Sequence, residues 1–578
     1  MHKNGNNLQS IEVVSNNKKG RSKNQKVYKG TPAVQGLALG DAIVIQEHNY
    51  VISHEEIAPE NVPSEIERYK NAITELQNRY EKSIQALESY SKKDIGILEA
   101  YILIITDPII TQSIIDRIKN LTNVELAVAQ EFDYQKSLFK NSSDPILKER
   151  ANELSIIKEN LLATLKNSCR IIPAYKNAIV VAHSLDPSDI YNLKVEGIQG
   201  IITEVGGITS HASILARSHN IPAVIGVREI TKFTKDFDFV LLDGFEGTVT
   251  INPKKDTLTK FQLKKTQEEI RKKRLGALIK LPTRTKDGKL IKLYANVTEP
   301  KDVDKAIEYG AEGIGLVRTE MVLIKEKSIP DVRELTKLYK EYTEKAYPNI
   351  VTFRVYDIGS DKYPFIINTK ENNPALGLRG IRYLLSNKSL FKTQIKAILK
   401  ASANKNAQLL LPMISSIREL KESLKIIEEC KNFLKKENRP FNPFIPIGIM
   451  IETPASALIA DELAKYCDFF SIGTNDLTQY TLAADRASEL VADYFDQHHF
   501  AVLRLIKMTV DAAKRKGIPI TVCGDMAGDP AATSFLIGVG VDALSVDHNV
   551  ILELKSRIRD SHYLESVKYA ESILANKI

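Results

Sequence analysis

Two groups of residues in this chain have types and spacings that could do chemistry. The first is Gly206-Gly207-Ile208-Thr209-Ser210-His211-Ala212-Ser213. The run before it, Gly200-Ile201-Ile202-Thr203-Glu204, predicts a short buried strand, and Ala212 to Ser218 has helical spacing. A glycine pair at a strand-to-helix corner presents backbone N–H groups, and the helix dipole adds to their preference for an anion. A histidine in that position can accept a phosphoryl group. Its neutral imidazole, with an unperturbed pKa of roughly 6.5, is mostly nucleophilic at neutral pH. The second group lies in the C-terminal half, where Arg318, Arg354, Arg379 and Arg486 accompany Glu452, Asn475, Asp476 and Cys523. Guanidinium groups are planar, permanently charged donors suited to phosphate and carboxylate. Glu452 and Asp476 supply hard oxygen ligands for one Mg2+, with substrate and water completing its shell. Arg382, three residues after Arg379, is the weakest of the arginines and reads as readily as a structural residue.

These side chains need a scaffold that brings distant segments to one face. Eight apolar runs alternate with helical stretches after Pro282: Lys292–Val297, Gly313–Val317, Val351–Tyr356, Gln408–Pro412, Pro446–Ile451, Phe469–Ile472, Ile520–Val522 and Ala543–Val546. That repetition predicts a (β/α)8 barrel, in which the residues just after each strand converge on one end. An open doubly wound sheet is the alternative. The N-terminal half reads differently. Residues 1–27, rich in Asn, Lys and Ser, are expected to be a disordered basic extension. Residues 28–62 and 168–253 have the short strands of an α/β domain, and 63–167 interrupt it with amphipathic helices on which Ile66, Tyr69, Ile73, Leu76 and Tyr80 recur at helical steps. A Lys- and Glu-rich stretch, 254–281, is expected to be a linker helix, and 282–578 form the barrel.

Composition narrows the function classes. With 578 residues, 43% hydrophobic and 26% charged, the chain is an ordinary multidomain globular protein. It has no apolar run of transmembrane length and no signal peptide, so membrane insertion is not expected and a cytoplasmic location is. Cys169, Cys430, Cys467 and Cys523 include no CxxC pair, which argues against a disulfide framework or a structural zinc site. The net charge of +8 comes from Lys spread over predicted helices and the tail, so nucleic acid is not an expected partner.

The segment from Gly206 continues as Ala216-Arg217-Ser218-His219-Asn220-Ile221-Pro222-Ala223-Val224-Ile225-Gly226, and in full it resembles the swivelling phosphohistidine domain of enzymes that use phosphoenolpyruvate (PEP). The strings Gly315-Leu316-Val317-Arg318-Thr319-Glu320, Met450-Ile451-Glu452-Thr453-Pro454, Gly473-Thr474-Asn475-Asp476-Leu477 and Val522-Cys523-Gly524-Asp525 resemble the PEP-binding barrel of the PEP–protein phosphotransferases, the enzyme I family of the sugar phosphotransferase system. The resemblance runs from about Lys29 to near the C-terminus. PEP synthase and pyruvate phosphate dikinase carry an ATP-binding domain for which the residues before His211 leave no room. The resemblance implies that His211 takes the phosphoryl group and passes it to a histidine of a small phosphocarrier protein docked on the helical insertion. It further implies that Arg318, Arg354, Arg379 and Arg486 hold PEP and that Asn475 contacts it. Glu452 and Asp476 would bind Mg2+, Lys362 would stabilise the enolate, and Cys523 would protonate it to pyruvate. A homodimer joined through the barrels is implied as well. Three departures stand out: Ile208 where the family has Arg, Ser360 where it has Gly, and Asp186 where it has Thr. Asp186, with Thr209, is therefore a candidate to orient His211. A nitrogen-branch paralogue serving another carrier, or a weakly catalytic PEP-sensing regulator, are the competing readings.

Overall fold

The computed structural model describes residues 25–45, 52–87, 92–140, 145–166, 177–185, 197–205, 213, 216–217, 221–326, 330–359, 371, 373–486 and 488–575. It divides into two compact units, residues 1–267 and 268–578.

The first unit is built on an eight-stranded mixed sheet. Its strands are β1 (Lys26–Lys29), β2 (Thr31–Val34), β3 (Leu37–Ile45), β4 (Ile179–Ala182), β5 (Gly200–Thr203), β6 (Ala223–Ile225), β7 (Phe239–Asp243) and β8 (Thr248–Ile251), in the spatial order β1-β8-β7-β3-β4-β5-β6-β2. The central run β3-β4-β5-β6 is parallel. Strands β4, β5 and β6 are buried throughout and accordingly read, but for Thr203 at the end of β5, as apolar runs rather than alternating ones. Lys26 and Val27, expected in the extension, instead belong to strand β1 and pair with Ile251 and Thr250, while residues 1–24 lie outside the described residues. Five helices, Val62–Leu87, Lys92–Ile105, Pro108–Lys119, Val124–Lys140 and Pro145–Leu165, separate β3 from β4. Tyr69, Leu76 and Tyr80 form a buried stripe on the first, packed with Leu98, Tyr101 and Ile105 of the second. Asp107 caps the third by accepting from the Ile109 and Ile110 N–H groups at 2.8 and 3.1 Å, with Pro108 at the position where a missing N–H costs nothing.

Residues Lys255–Ala277 form one helix, and the division between the units falls inside it. The second unit is a closed barrel of eight parallel strands: β9 (Lys292–Val297), β10 (Ile314–Arg318), β11 (Val351–Arg354), β12 (Ala407–Leu411), β13 (Ile447–Ile451), β14 (Phe469–Gly473), β15 (Ile520–Cys523) and β16 (Ala543–Val546). Every expected strand is present; Lys292–Val297 and Ala543–Val546 match at both ends, and the others differ by at most two residues. The barrel rules out the open sheet. Side chains alternate as a closed barrel requires. Phe353, Ile449, Ile472 and Val522 join the core under the surrounding helices, while Leu316, Leu410, Met450, Phe469 and Cys523 form a separate cluster inside.

Candidate active site

That alternation decides which chemistry reaches the carboxyl ends of the strands. Arg354 closes β11, Glu452 follows β13, Asp476 and Asn475 open the helix Thr474–Leu482 after β14, and Cys523 closes β15. All but Asn475 are buried. Arg379 reaches the same place from the loop before the helix Ile381–Ser386 and is 2% exposed. The adjoining Gly380 has φ +55°, and a Cβ there would meet Met413 Cγ at 2.8 Å, so glycine is needed for this approach.

The charges are interleaved. Arg354 pairs closely with Glu320 and lies 3.6 Å from Asp357. Arg379 donates from Nη2 to Asp357 Oδ2 at 2.9 Å, and its Nη1 sits 3.4 Å from Asp476 Oδ1 and 3.0 Å from the Tyr480 hydroxyl. Tyr480 in turn donates to the Ala375 carbonyl at 2.5 Å. Arg486, more exposed, lies 3.8 Å from Asp476 Oδ2. Burial opposes the charge on Arg354 and Arg379, but the surrounding carboxylates outweigh it and hold both guanidiniums firmly protonated. Glu452 shows the opposite balance. Burial, followed by the neighbouring Asp476 and Asp357, pushes its carboxyl well above the ordinary carboxylate range. Its Oε1 accepts the Met413 N–H at 2.6 Å, and Met413 holds the left-handed φ of +56° that aims this N–H at it.

Three buried atoms here have no hydrogen-bond partner among the described residues: the Arg354 Nε–H donor and the carboxyl oxygens Glu320 Oε2 and Glu452 Oε2. Leaving such groups unpaired is costly, so their presence at a cluster of charges marks a place made for a ligand. A donor is free for an anion, and a carboxyl whose ionisation a cation would favour has an oxygen free to meet one. No group of three or more His, Cys, Asp or Glu converges as a metal cage among the described residues. Glu452 and Asp476 nevertheless fit a hard divalent cation, since crowded carboxylates with an open oxygen gain by sharing one.

Cys523 lies below these charges. Its Sγ is 3.3 Å from the Ile472 carbonyl and 3.4 Å from the Ser471 hydroxyl, and burial pushes the thiol up to about 11. The Asn475 side-chain oxygen accepts from the Asp525 N–H at 3.0 Å, tying the ends of β14 and β15 together. Gly524, at φ +92°, allows that closeness, because a Cβ would come within 2.4 Å of Thr474 Oγ1. Arg318 ends β10 exposed, and its charge is felt by Cys523. Arg382 instead donates to the Leu376 carbonyl at 3.3 Å and lies 3.6 Å from Glu419. His211, Thr209, Asp186, Ile208, Ser360 and Lys362 fall outside the described residues. Sequence reasoning assigned no role to Glu320, Asp357 or Tyr480. Glu320 sits in the string that holds Arg318, and Asp357 just past the run Val351–Tyr356, but nothing in their spacing says that Asp357 bridges two arginines 25 positions apart.

In the first unit, the strand ends leading to the Gly206–Ser213 segment carry a polar knot. His183 Nδ1 is 2.8 Å from Glu204 Oε2, and Glu204 Oε1 accepts from the Thr231 N–H at 2.8 Å and from its hydroxyl. The Thr203 hydroxyl donates to the Val205 carbonyl at 2.8 Å.

Comparison with known proteins converges on the same chemistry. Three descriptions of PEP-utilising enzymes match the chain: the N-terminal domain over residues 29–150, the mobile domain over 174–247 and the PEP-binding domain over 272–563. A phosphoenolpyruvate-protein phosphotransferase of Listeria innocua is 36% identical over 557 residues, 95% of this chain and 96% of that protein. Proteins of the same name from Bacillus sp. and Haemophilus influenzae are each 34% identical, over 96% and 94% of this chain and 97% and 96% of their own lengths. The chain therefore belongs to the phosphoenolpyruvate-protein phosphotransferase family of PEP-utilising enzymes.

Proposed function

We propose that this enzyme transfers the phosphoryl group of PEP to His211 and from there to a histidine of a small phosphocarrier protein, releasing pyruvate. The observation that supports it best is the buried mouth of the barrel, where arginines and carboxylates interleave around an unpartnered Arg354 Nε–H and an unpartnered Glu452 oxygen. Phosphoryl transfer needs little covalent help from side chains; it needs positioning and dispersal of charge. Arg318, Arg354, Arg379 and Arg486 bind the phosphate and carboxylate of PEP, and Asn475 contacts it. Glu452 and Asp476 hold Mg2+, which when bound neutralises charge on the phosphoryl and enolate oxygens. His211 attacks phosphorus as neutral imidazole while the bond from phosphorus to the enol oxygen breaks. Lys362 stabilises the enolate. Cys523, held as a thiol across the physiological range, gives it a proton. Asp186 and Thr209 orient the imidazole.

His211 and the arginines belong to different units, so the phosphohistidine unit must visit the barrel and then the carrier. The helices between β3 and β4 dock that carrier, the barrels pair in a homodimer, and the enzyme works in the cytoplasm. No single helix among the described residues is long and apolar enough to cross a membrane. Incubation with [32P]PEP and Mg2+ tests the reading. Wild type retains label and passes it to added carrier, His211→Ala takes up none, and equal label on both would refute the assignment.

A further inference from the structure

The Cys523 thiol has a second polar neighbour whose chemistry the transfer reaction has not used. Ser471 lies on β14 and is 2% exposed. Its hydroxyl is 3.4 Å from Cys523 Sγ, and this is the hydroxyl's one hydrogen bond among the described residues. The other polar contact of the sulfur is the Ile472 carbonyl at 3.3 Å, which can only accept. The rest of that interior layer is Leu316, Leu410, Met450 and Phe469.

These two contacts treat the two protonation states differently. A thiol can donate to the carbonyl while it accepts from the serine. A thiolate keeps the serine donor but faces the carbonyl oxygen as a repulsive dipole. Among charged groups, Glu452 beyond β13 opposes the thiolate, and Arg354 of β11 and Arg318 of β10 favour it. Of the groups touching sulfur, the Ser471 hydroxyl alone can follow the charge as it forms.

We propose that Ser471 is a positioning residue for proton delivery to the enolate: it aligns the Cys523 thiol and donates to the thiolate left behind. The inference rests on Cys523 being the donor. In the step, the S–H bond breaks and the electron pair of the enolate C=C bond forms a C–H bond at the methylene carbon. The enolate oxygen becomes the ketone oxygen of pyruvate, sulfur keeps the S–H pair as thiolate, and water later returns a proton. No oxidant or reductant takes part.

The reverse of this step, exchange of pyruvate methyl protons in D2O, isolates it and is followed by proton NMR on the full-length protein with saturating Mg2+. Ser471→Ala should lower the exchange rate about tenfold and move its pH profile about one unit to higher pH, because a thiolate without its donor forms less readily. Label uptake from [32P]PEP by the same variant should fall less than threefold, a split that mere loss of folding would not produce. Ser471→Thr, which keeps the hydroxyl, should keep the wild-type pH profile. Wild-type exchange and profile in Ser471→Ala, or a threonine variant behaving like alanine, overturns the role of Ser471. Exchange that survives Cys523→Ala overturns instead the donor reading beneath it.

Discussion

The two units handle polar groups in opposite ways. At the barrel mouth, Arg354, Arg379, Glu320, Asp357, Glu452 and Asp476 are buried together, and each guanidinium touches more than one carboxylate. In the first unit, β4, β5 and β6 are buried and apolar but for Thr203, and the half-buried His183–Glu204–Thr231 knot lies at the carboxyl ends of β4 and β5. In a mutually buried set of charges, catalysis and stability rest on the same contacts. A nucleophile carried on a segment between strands can change with little effect on the sheet. Substitutions should therefore damage both properties together in the barrel and separate them in the first unit.

The largest effect expected is that of Arg379→Ala. It takes the nearest cation from Asp357 and Asp476, two buried carboxylates left with only the longer pairs to Arg354 and Arg486, at a cost of roughly 3–5 kcal/mol. It also removes a phosphate or carboxylate donor, for a loss of about 10²–10³-fold in label uptake from PEP. Melting by calorimetry and single-turnover labelling should fall together, and full activity loss with an unchanged melting temperature would break the comparison. Arg379→Met combined with Asp357→Asn should recover part of the stability and none of the labelling. Arg354→Lys comes next. It keeps the charge but not the fork that meets both Glu320 and Asp357, so labelling should drop about 10²-fold with a smaller loss of stability. Equal labelling by the lysine variant would mean that charge alone suffices there.

How much of this was legible in the sequence follows from the same contrast. A parallel barrel writes its strands as short apolar runs, and the residue at the end of each run must face the mouth, so Arg354, Glu452, Asp476 and Cys523 could be read from position alone. Glu320 and Asp357 could not. Whether an acid beside an arginine is buried against it depends on which distant side chains reach it, and Arg379 meets Asp357 from 22 positions further along the chain. The serine beneath Cys523 was likewise hidden, because its meaning comes from the registration of β14 against β15, where Gly473 pairs with Cys523. In the first unit, Lys26 and Val27 belong to a strand although their surroundings read as tail, since pairing with β8 rather than local composition fixes them.

A charge within the barrel but away from its mouth sharpens the comparison. Lys555 is buried near the amino end of β10, where its Nζ donates to the carbonyls of Ile279, Leu281 and Gly310 at 3.1, 3.1 and 3.2 Å. Lys555→Met leaves these oxygens unpaired and should cost about 1–3 kcal/mol. Label uptake at a temperature where the protein stays folded should remain within twofold. A larger loss of labelling would mean that barrel chemistry depends on both ends of the strands.

The smallest effect belongs to the knot in the first unit, and its pH dependence identifies it. Burial tends to raise the Glu204 carboxyl, but its bonds to Thr231 and His183 more than compensate and hold it below the ordinary range. A carboxylate whose folded value lies below its unfolded value stabilises the protein above the unfolded value, near 4.5 for glutamate. That contribution is lost as pH falls through the folded value. Glu204→Gln keeps the shape and removes the charge, so at pH 7 it should be less stable than wild type by about 1 kcal/mol. The gap should close as the buffer is taken below the folded value, where the wild-type carboxylate is itself protonated. If calorimetry finds the gap unchanged by acid, the carboxylate charge is not what secures the ends of β4 and β5. The first unit would then depend on shape alone, and its contrast with the charged barrel would be complete.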